Sequence, residues 1–536
     1  MTQSDVLPIA SAHSGSSLRE RLSEPRVMSL GPRVVPKSGE RRALPHSVTG
    51  RTEGSNYARH GWPPIGQLIL QANMGGLVVE ARSRGFAEQC PLRPREALFM
   101  RIHALLLLCG LCAAFDASAA DNTAVTGRWE LTTTAPGGSY VAGIDLAVDQ
   151  DKYEGKSGPL IPDWDSFFYQ GTREKNGVHL KVTYEGGSEI GDLTVRNDGG
   201  TLKGSGTIHG IAVNVRGQRP LKRPPDAPTV HDFEPKTFWS TFSGATPPAL
   251  HVFPGDTIRT KTVDAYGRDE HDLPRALPAA NPQTGPFYIE GAMPGDTLAV
   301  HLTKIRPSRN SATQYREAID PSMLKPGQPQ QKVSNWSHTW TLDREKGIAT
   351  PDNPSDKLKN FSVKLEPMLG CVSVAPFWNQ AIGTSDLGSW GGNLDYNQIR
   401  EGTTLYLPVY QAGALLTVGD GHARQGDGEI TGQGLETSMD VEFTVDVVHG
   451  DFLNQVWAEN KDYIMVSGIE GSLTTAMQSA TSGLSKWLAI HYGLNAAEIA
   501  TVLTDTVRYD IAEAGDPHVH VVAKIDKDVL RQIRAP

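Results

Sequence analysis

The sequence has few cysteines, few aromatic residues and no long apolar run. Four of its 536 residues are cysteine, and Phe, Trp and Tyr together make up 7% of the chain. So low a cysteine content excludes a disulfide-rich scaffold. The lack of 18 consecutive apolar residues excludes a predicted transmembrane helix. Glycine and proline are frequent instead, with 55 and 36 residues, and this composition favours short strands joined by turns over long helices.

The charge is negative overall but unevenly distributed. The formal net charge is −9, which argues against a nucleic-acid partner. Residues 1–99 carry 13 basic and 8 acidic side chains, a net charge of +5, whereas the remainder carries −14. This first segment also has almost no hydrophobic periodicity, so it is predicted to be disordered.

A secretory signal is predicted at residues 100–120. A short basic head precedes an apolar run at 104–115, and small residues lead to a predicted cleavage site near Ala119 and Ala120. We therefore expect a bacterial periplasmic or secreted protein with no membrane segment in its mature form. Because such a signal normally begins a chain, residues 1–99 are expected to be a non-native upstream extension. The alternative is a genuine leader followed by an internal buried helix.

Residues 121–220 are predicted to form a small all-β domain, a barrel or a sandwich. Short alternating runs recur about every ten residues between Gly, Asn and Asp clusters, which is typical of such folds. Aromatic residues at 164 and 167–169 are expected to fill its core, with a ligand-binding mouth as the alternative. A proline-rich linker follows at 221–230, and the larger domain is expected to span 231–536.

Two strands of the larger domain are predicted to end in acidic residues. The sequence Pro-Gly-Asp-Thr occurs at 254–257 and again at 294–297, and each copy is predicted to be a turn between strands. The neighbouring strands end in Asp264 and Glu290. A carboxylate beside an apolar run needs a partner, so both acids are candidates for a functional site.

The densest cluster of polar residues lies at 383–436. The segment GGNLD at 391–395 precedes two predicted strands, and GDGHARQGDGE follows them at 419–429. Glycine permits sharp turns, while Asp, His and Glu are the side chains that a divalent ion or a hydrolytic water requires. The alternative is a solvated Asp-Gly hairpin, because no strict zinc motif such as HExxH is present.

Three motifs carry a resemblance to a known family. The string GGNLDYNQIREGTTLYLPVYQAGALLTVGDGHARQGDGEITG resembles the central signature of the acetamidase/formamidase family, and NPQTGPFYIEGAMPGDTLAVHL and EPMLGCVSVAP are similar to its upstream motifs. The resemblance covers about 230–535 and implies a mainly β fold of barrel or sandwich type with a few C-terminal helices. It also implies a homo-oligomeric hydrolase that cleaves the C–N bond of small linear amides to give a carboxylate and ammonia. A divalent metal ion is implied as the cofactor, zinc first and calcium as the alternative.

The resemblance also implies a set of site residues, carried over by position. The implied metal ligands are Asp264, Asp395, Asp420, His422 and Asp427. The acids implied for proton transfer are Glu290 and Glu429. The residues implied for substrate binding are Asn281, Asn393 and Gly421.

Two other functions remain open at this point. A Cys-dependent amidase would use Cys371, the only cysteine after the predicted signal, although no nitrilase-type motif accompanies it. A single cysteine cannot form an intrachain disulfide, and we expect Cys371 to be a packed core thiol. A catalytically silent exported protein that binds a small ligand is the second alternative.

The C-terminal end is predicted to contain two helices and a strand. Apolar residues at 470–493 recur near the helical period, and Asn495 is placed to cap a second helix. Residues 518–526 alternate as a strand. His518 and His520 lie on one face of this strand and are expected to face solvent or a subunit contact instead of a metal ion.

Overall fold

The computed structural model describes residues 125–534, except 159–165, 186, 225–226, 278–280, 317, 328–338 and 450–452. The predicted upstream extension and signal, and the aromatic residue at 164, lie outside the described residues. Strands dominate the described part of the chain and helices are few, so the predicted mainly β fold class is confirmed.

The first eight strands of the described chain form a closed antiparallel barrel. They are β1 Gly127–Ala135, β2 Gly138–Asp149, β3 Lys152–Ser157, β4 Phe167–Glu174, β5 Gly177–Tyr184, β6 Glu189–Asp198, β7 Thr201–Ile208 and β8 Ile211–Gln218. Each strand pairs with the next, and β1 pairs with β8 to close the barrel. Alternate residues point inward, where Trp129, Leu180 and Leu202 are almost completely buried.

The following strands are shorter and form several sheets. They are β9 Val230–Asp232, β10 Thr241–Phe242, β11 Leu250–Val252, β12 Thr257–Lys261, β13 Thr284–Ile289, β14 Thr297–Pro307, β15 Ser311–Thr313, β16 Thr339–Asp343, β17 Ile348–Pro351, β18 Val363–Lys364, β19 Met368–Ser373, β20 Ile382–Gly383, β21 Leu387–Gly388, β22 Gly391–Asn393, β23 Thr404–Pro408, β24 Leu416–His422, β25 Met439–Val448, β26 Trp457–Glu459, β27 Tyr463–Glu470, β28 Arg508–Glu513 and β29 Val519–Asp526. Short 3-10 turns occur at Pro321–Met323, Asp356–Leu358 and Phe377–Asn379.

Two large sheets share one hydrophobic core. Within the described ranges, the first sheet has the order β11-β13-β24-β19-β22-β21 and the second the order β28-β29-β27-β26-β23-β14-β25-β12-β9. Phe287 of β13 meets Phe443 of β25 edge to face, with ring centroids 5.6 Å apart, and both are fully buried. Strand β24 lies inside this arrangement and every one of its residues is buried. Polar residues at its end therefore need partners within the protein.

The helices follow local sequence signals. They are α1 Leu473–Tyr492, α2 Ala496–Thr506 and α3 Lys527–Leu530. Ser472 caps α1, which ends at Gly493 in the left-handed conformation, and Asn495 forms a capping box with Glu498 at the start of α2. Both predicted helices are confirmed. In the described residues, no helix has the length and apolar character needed to cross a membrane.

The two Pro-Gly-Asp-Thr turns are anchored by arginines. Asp256 accepts a hydrogen bond from Arg223 Nη1 at 2.9 Å. Asp296, whose side chain is 2% exposed, accepts from Arg128 Nη2 at 2.6 Å and lies 2.9 Å from His449 Nδ1. Because Arg128 belongs to β1 and Arg223 to the segment after β8, these turns attach the barrel and its linker to the second sheet.

Candidate active site

Ionisable side chains converge where β22, β24 and β28 end. The group consists of Asp395, Asp420, His422, Glu429, Glu436, Glu513 and Asp516. All of them are buried except Asp516, which is partly exposed. We call these seven residues the acidic centre.

His422 lies in the middle of the acidic centre. Its Nε2 atom is 3.2 Å from Glu436 Oε1 and 3.4 Å from Asp420 Oδ1. Its Nδ1 atom is 3.9 Å from Asp395 Oδ1 and 3.9 Å from Glu429 Oε1. One imidazole therefore has two carboxylates near each of its nitrogens.

Glu513 and Asp516 close the other side of the centre. Ligand-type oxygens of Glu513, Asp395 and Glu429 lie within 4.8 Å of one another. Glu513 Oε1 accepts the backbone N–H of Asp516 at 2.9 Å. Asp516 Oδ2 in turn accepts from Asn393 Nδ2 at 2.8 Å, so the turn after β28 is tied to the end of β22.

Several residues of the site have a left-handed backbone. The φ angles are +40° at Asp395, +57° at Asp420, +40° at Glu429 and +38° at Asn281. Residues other than glycine rarely adopt this conformation, and when they do they are concentrated at functional sites because the surrounding structure must hold them there. The backbone is therefore bent to direct these side chains at one point.

Two glycines leave the room that the carboxylates and the imidazole occupy. A Cβ atom on Gly370 would lie 2.4 Å from Asp395 Oδ1 and 2.7 Å from Asp420 Oδ2. A Cβ atom on Gly434 would lie 2.6 Å from the ring of His422. Only a residue without a side chain fits these two positions without displacing the site.

Side-chain amides connect and orient the carboxylates. Asn281 Nδ2 donates to Asn393 Oδ1 at 2.6 Å and to Asp420 Oδ2 at 3.1 Å. Asn393 Nδ2 donates to Asp395 Oδ2 at 2.5 Å as well as to Asp516. The two asparagines predicted as substrate donors thus hold carboxylates in place.

Burial and mutual repulsion keep protons on the acidic centre. Burial, with the nearby charge of Asp420, raises the pKa of Asp395 well above its ordinary value, and burial with Asp395 does the same for the pKa of Glu429. Burial raises the pKa of Glu436 and that of Asp516 to about 7. Like charges so close together cannot all ionise without a compensating cation.

The pKa of His422 is also raised, but for a histidine a raised pKa favours the charged form. Burial alone would lower it, but the carboxylates of Glu436 and Asp420 raise the pKa well above its ordinary value. The protein by itself therefore neutralises part of the negative charge with an imidazolium. A bound metal ion would replace both this proton and those on the carboxylates.

The residues present fit a divalent metal ion. Among the described residues, Asp395 Oδ1, Glu436 Oε2 and Glu513 Oε2 are buried acceptors without a hydrogen-bond partner. Asp395, Asp420 and His422 offer ligand atoms within 4.8 Å of one another, and His422, Glu429 and Glu436 form a second such set. Nitrogen and carboxylate donors suit zinc, and the many oxygens also suit calcium.

Three of the residues predicted for the site lie elsewhere. Asp264 is fully buried next to Glu436, but its carboxylate binds Arg309 and the backbone N–H groups of 266 and 268. Asp427 is exposed and accepts from Asn397 Nδ2 at 2.6 Å. The structure places neither of them in the acidic centre.

Glu290 also lies outside it, whereas Gly421 stands between Asp420 and His422 on β24 but has no side chain to contribute. Glu290 Oε1 is 2.8 Å from His251 Nδ1, and its charge acts on Glu130 of the barrel. A Cβ atom on Gly421 would lie 2.3 Å from Met439 Cγ, so this glycine permits close packing within the core. Of the two acids predicted for proton transfer, the structure brings only Glu429 to His422.

Three acids of the centre were not predicted from the sequence. Glu436 lies just beyond the quoted signature, while Glu513, the last residue of β28, and Asp516 belong to the segment AEAGD about eighty residues further along the chain. Glu513 could have been found from its sequence, because it ends a strand just before a glycine turn. The same pattern identified Asp264 and Glu290 as candidates.

One of the two C-terminal histidines, His520, differs from the prediction. His520 is fully buried, with Nδ1 2.7 Å from the carbonyl oxygen of Leu394, so the expectation that it faces solvent or a subunit contact is wrong. The alternation of β29 does not reveal this burial because both of its faces are covered. His518 is partly exposed and lies 2.7 Å from Asp386.

Cys371 is a core residue. Its side chain is fully buried on β19, and burial, with the charges of Asp420 and Asp395, raises the pKa of the thiol well above its ordinary value. A cysteine nucleophile acts as the thiolate and needs a lowered pKa. These surroundings do not favour the Cys-dependent alternative.

A polar depression of about 410 Å³ lies next to the acidic centre. Its lining residues are Ser240, Gly383, Thr384, Ser385, Asp386 and Pro517. The carbonyl oxygen of Thr384 accepts from Asn281, and that of Asp386 accepts the N–H of Asn393. The depression therefore shares its walls with the residues that orient the site.

The fold and site define a mainly β protein with a buried, carboxylate-rich centre. Residues 373–472 match the sequence model of the acetamidase/formamidase family. A Schizosaccharomyces pombe protein that carries the provisional name formamidase is 26% identical over 243 residues, or 34% of this chain and 57% of that protein. The chain thus spans little more than half the length of this curated relative.

The chain is also similar to solved structures. A predicted acetamidase/formamidase from the thermophile Thermoanaerobacter tengcongensis is 26% identical with a TM-score of 0.50, over 57% of this chain and 98% of that one. An acetamidase from Yersinia enterocolitica is also 26% identical, over 57% and 94% of the two chains, with a TM-score of 0.49. The sequence matches and the Thermoanaerobacter structure support the acetamidase/formamidase family, as the three motifs predict.

Proposed function

We propose that the protein hydrolyses small linear amides to a carboxylate and ammonia, with water activated by a metal ion. The observation that carries this proposal is the convergence of Asp395, Asp420, His422 and Glu429 around one buried point. All four lie within the segment that matches the acetamidase/formamidase family. The relatives named as formamidase and acetamidase support the same reaction class.

The metal ion would be held by Asp395, Asp420 and His422, and zinc is the ion we propose, with calcium as the alternative. When bound, such an ion polarises a carbonyl and lowers the pKa of water from about 15.7 to about 7. Asn393 and Asn281 hold the carboxylates of Asp395 and Asp420 by hydrogen bonds. They keep the carboxylate oxygens oriented toward the centre.

Glu429 is the residue we propose for proton transfer. An amide nitrogen leaves far more readily after it has gained a proton. The raised pKa of Glu429 favours the protonated form of its carboxyl group, and Glu513 lies beside it as a neighbouring carboxyl. Glu290 is the weaker candidate, because its carboxylate is engaged with His251.

The test is ammonia release from formamide and acetamide, with metal content measured on the same samples. His422→Ala is expected to lose both metal and turnover, because it removes the nitrogen ligand. Glu429→Gln is expected to keep the metal and lose about 10²- to 10⁴-fold in kcat, the usual contribution of a proton-transfer group. Metal-free wild-type protein with full activity would refute the metal-activated mechanism.

Two control variants accompany this test. His301→Ala removes a histidine on the exposed face of β14, and Cys371→Ser tests the thiol alternative. Both are expected to keep wild-type turnover within about twofold, since surface and isosteric changes rarely alter a site. Loss of turnover in Cys371→Ser with intact metal content would favour a cysteine nucleophile instead.

A further inference from the structure

The backbone at Asp395 is held in an unusual conformation. Its φ angle is +40°, and its N–H donates to the carbonyl oxygen of Gly370 at 3.0 Å. Asn393 occupies Oδ2, whereas Oδ1 has no hydrogen-bond partner among the described residues. A left-handed aspartate is strained and must be held by its surroundings. The direction of Oδ1 therefore depends on the groups that bind the carbonyl oxygens of Asp395 and Leu394.

Gln425 binds the carbonyl group of Asp395 itself. Its Nε2 donates to the carbonyl oxygen of Asp395, and its Oε1 lies 2.8 Å from His422 Nδ1. An amide oxygen only accepts hydrogen bonds, so the proton of a neutral His422 stays on Nδ1 and Nε2 faces Asp420 and Glu436. One buried amide thus fixes both the imidazole and the aspartate backbone.

His520 binds the carbonyl group of Leu394, the residue before Asp395. Its Nδ1 donates to the carbonyl oxygen of Leu394 at 2.7 Å, and its Nε2 lies 2.9 Å from Ser467 Oγ. Since a carbonyl oxygen only accepts, Nδ1 carries the proton and Nε2 accepts from the serine hydroxyl. Burial lowers the pKa of His520 to about 4, which keeps the ring neutral at physiological pH.

We infer that Gln425 and His520 are positioning residues that together hold Asp395 so that its unpartnered Oδ1 faces His422. Gln425 acts from the segment after β24 and His520 from β29, so two separate elements hold the two successive peptide groups on either side of the Asp395 Cα atom. The inference rests on the proposed function in that Asp395 and His422 are taken as metal ligands. Groups that orient a ligand in this way typically contribute about 10- to 100-fold to metal affinity.

The test uses side chains that keep or remove single hydrogen bonds. In His520→Asn the amide nitrogen can take the place of Nδ1 and still donate to Leu394, whereas His520→Gln extends beyond that position and loses the bond. Gln425→Met removes its hydrogen bonds to His422 and Asp395, and a longer one to the carbonyl oxygen of Ala512, at similar volume. Gln411→Met is the matched control, because the Gln411 amide also donates to a backbone carbonyl, that of Pro376, outside the acidic centre.

Zn²⁺ and Ca²⁺ affinities are measured by chelator competition, which needs no turnover, and kcat and KM are measured separately on metal-loaded protein. His520→Gln and Gln425→Met are expected to weaken binding of the preferred ion about 10- to 100-fold and to lower kcat with little change in KM. His520→Asn is expected to stay within about threefold of wild type. Gln411→Met is expected to match wild type in both measurements.

Several outcomes would overturn the inference. Equal metal affinity in wild type, His520→Gln and Gln425→Met would do so, as would equal losses in His520→Asn and His520→Gln, which would indicate packing alone. If His520→Gln does not fold, Gln425→Met decides the matter. A wild-type protein that binds neither ion also overturns it, whereas a protein that binds an ion but releases no ammonia contradicts the proposed function and leaves the inference standing.

Discussion

Gly370 places the strongest steric demand on the site. A methyl group there would lie within 3 Å of both Asp395 and Asp420, and these carboxylates are held by Asn393 and Asn281 and cannot move away freely. Gly370→Ala is therefore expected to separate them and to lower metal affinity and kcat by about 10- to 100-fold. Metal titration and ammonia release measure both effects.

Gly426 provides the control for this substitution. It belongs to the same signature, but a Cβ atom there meets nothing within 4 Å. Gly426→Ala is expected to keep wild-type affinity and turnover. If Gly370→Ala behaved in the same way, the close approach of the two carboxylates would not be needed for function.

The raised pKa values of the acidic centre predict how pH affects the metal-free protein. Burial raises the pKa of Glu436 from 4.5 and that of Asp516 from 3.8, in each case to about 7. A carboxyl group whose pKa is higher in the folded state binds protons more tightly when folded, so its contribution to stability falls as pH rises through this range. The Tm of chelator-treated protein is expected to fall between about pH 5 and pH 8.

A bound cation should remove this dependence, because it replaces the protons. Adding Zn²⁺ or Ca²⁺ at about pH 8 is expected to raise the Tm more than at about pH 5, where protons compete with the ion. Thermal unfolding with and without the ion measures this. A metal-free Tm that increases steadily from pH 5 to pH 8 would show that these carboxyl groups are not protonated in the folded protein.

Residue patterns predicted the part of the site that is local in sequence. Asp395, Asp420, His422 and Glu429 stand beside glycines at the ends of predicted strands, and the structure brings them together. Glu513 depends instead on where β28 lies beside β29, which no local pattern determines. Asp264 follows the same local pattern but finds Arg309 as its partner, so the pattern identifies buried acids without identifying their partners.

Helices and sheets also differ in how far the local sequence predicts them. The helices were predictable because Ser472 and Asn495 cap them through bonds to residues no more than three positions away. The order of the strands in the sheets was not predictable, since β24 pairs with β13 and β19, from which it is separated in sequence by several other strands. Strand order depends on contacts between distant segments, whose register is set by the whole core.

The ion pair at the second Pro-Gly-Asp-Thr turn predicts how much the contact with the barrel contributes to the free energy of unfolding. Arg128 is 15% exposed and pairs with Asp296, which is 2% exposed. Arg128→Ala leaves a buried carboxylate with only His449 and a backbone N–H, so it is expected to lower the free energy of unfolding by about 3 kcal/mol. Denaturant unfolding of the full chain measures this difference.

A surface pair serves as the comparison for Arg128. Arg259 and Glu442 form a similar ion pair on β12 and β25, but Arg259 is 53% exposed. Arg259→Ala is expected to lower the free energy of unfolding far less, because an exposed ion pair is screened by solvent. Equal losses in the two variants would indicate that Asp296 does not depend on the barrel for its partner.

At the scale of the whole molecule, the barrel and the chemistry are separate. The residues of the acidic centre and their amide partners lie between 281 and 516, whereas the contacts of the barrel described above reach the turn around Asp296. Arg223 of the linker binds Asp256 at the other turn. The described residues of the barrel therefore contribute no side chain to the proposed site.

This separation predicts that the larger β region works alone. A chain that begins at Leu221 keeps the Arg223–Asp256 pair but lacks Arg128. An added Asp296→Asn substitution therefore removes the buried carboxylate that Arg128 would have neutralised. This shortened protein is expected to release ammonia with a kcat within about threefold of the full chain, because removal of a distant module leaves the site contacts intact. The full chain with Asp296→Asn is the control, and circular dichroism checks that both proteins are folded. Complete loss of turnover in a shortened protein that is folded and binds its metal ion would show that the barrel takes part in the chemistry.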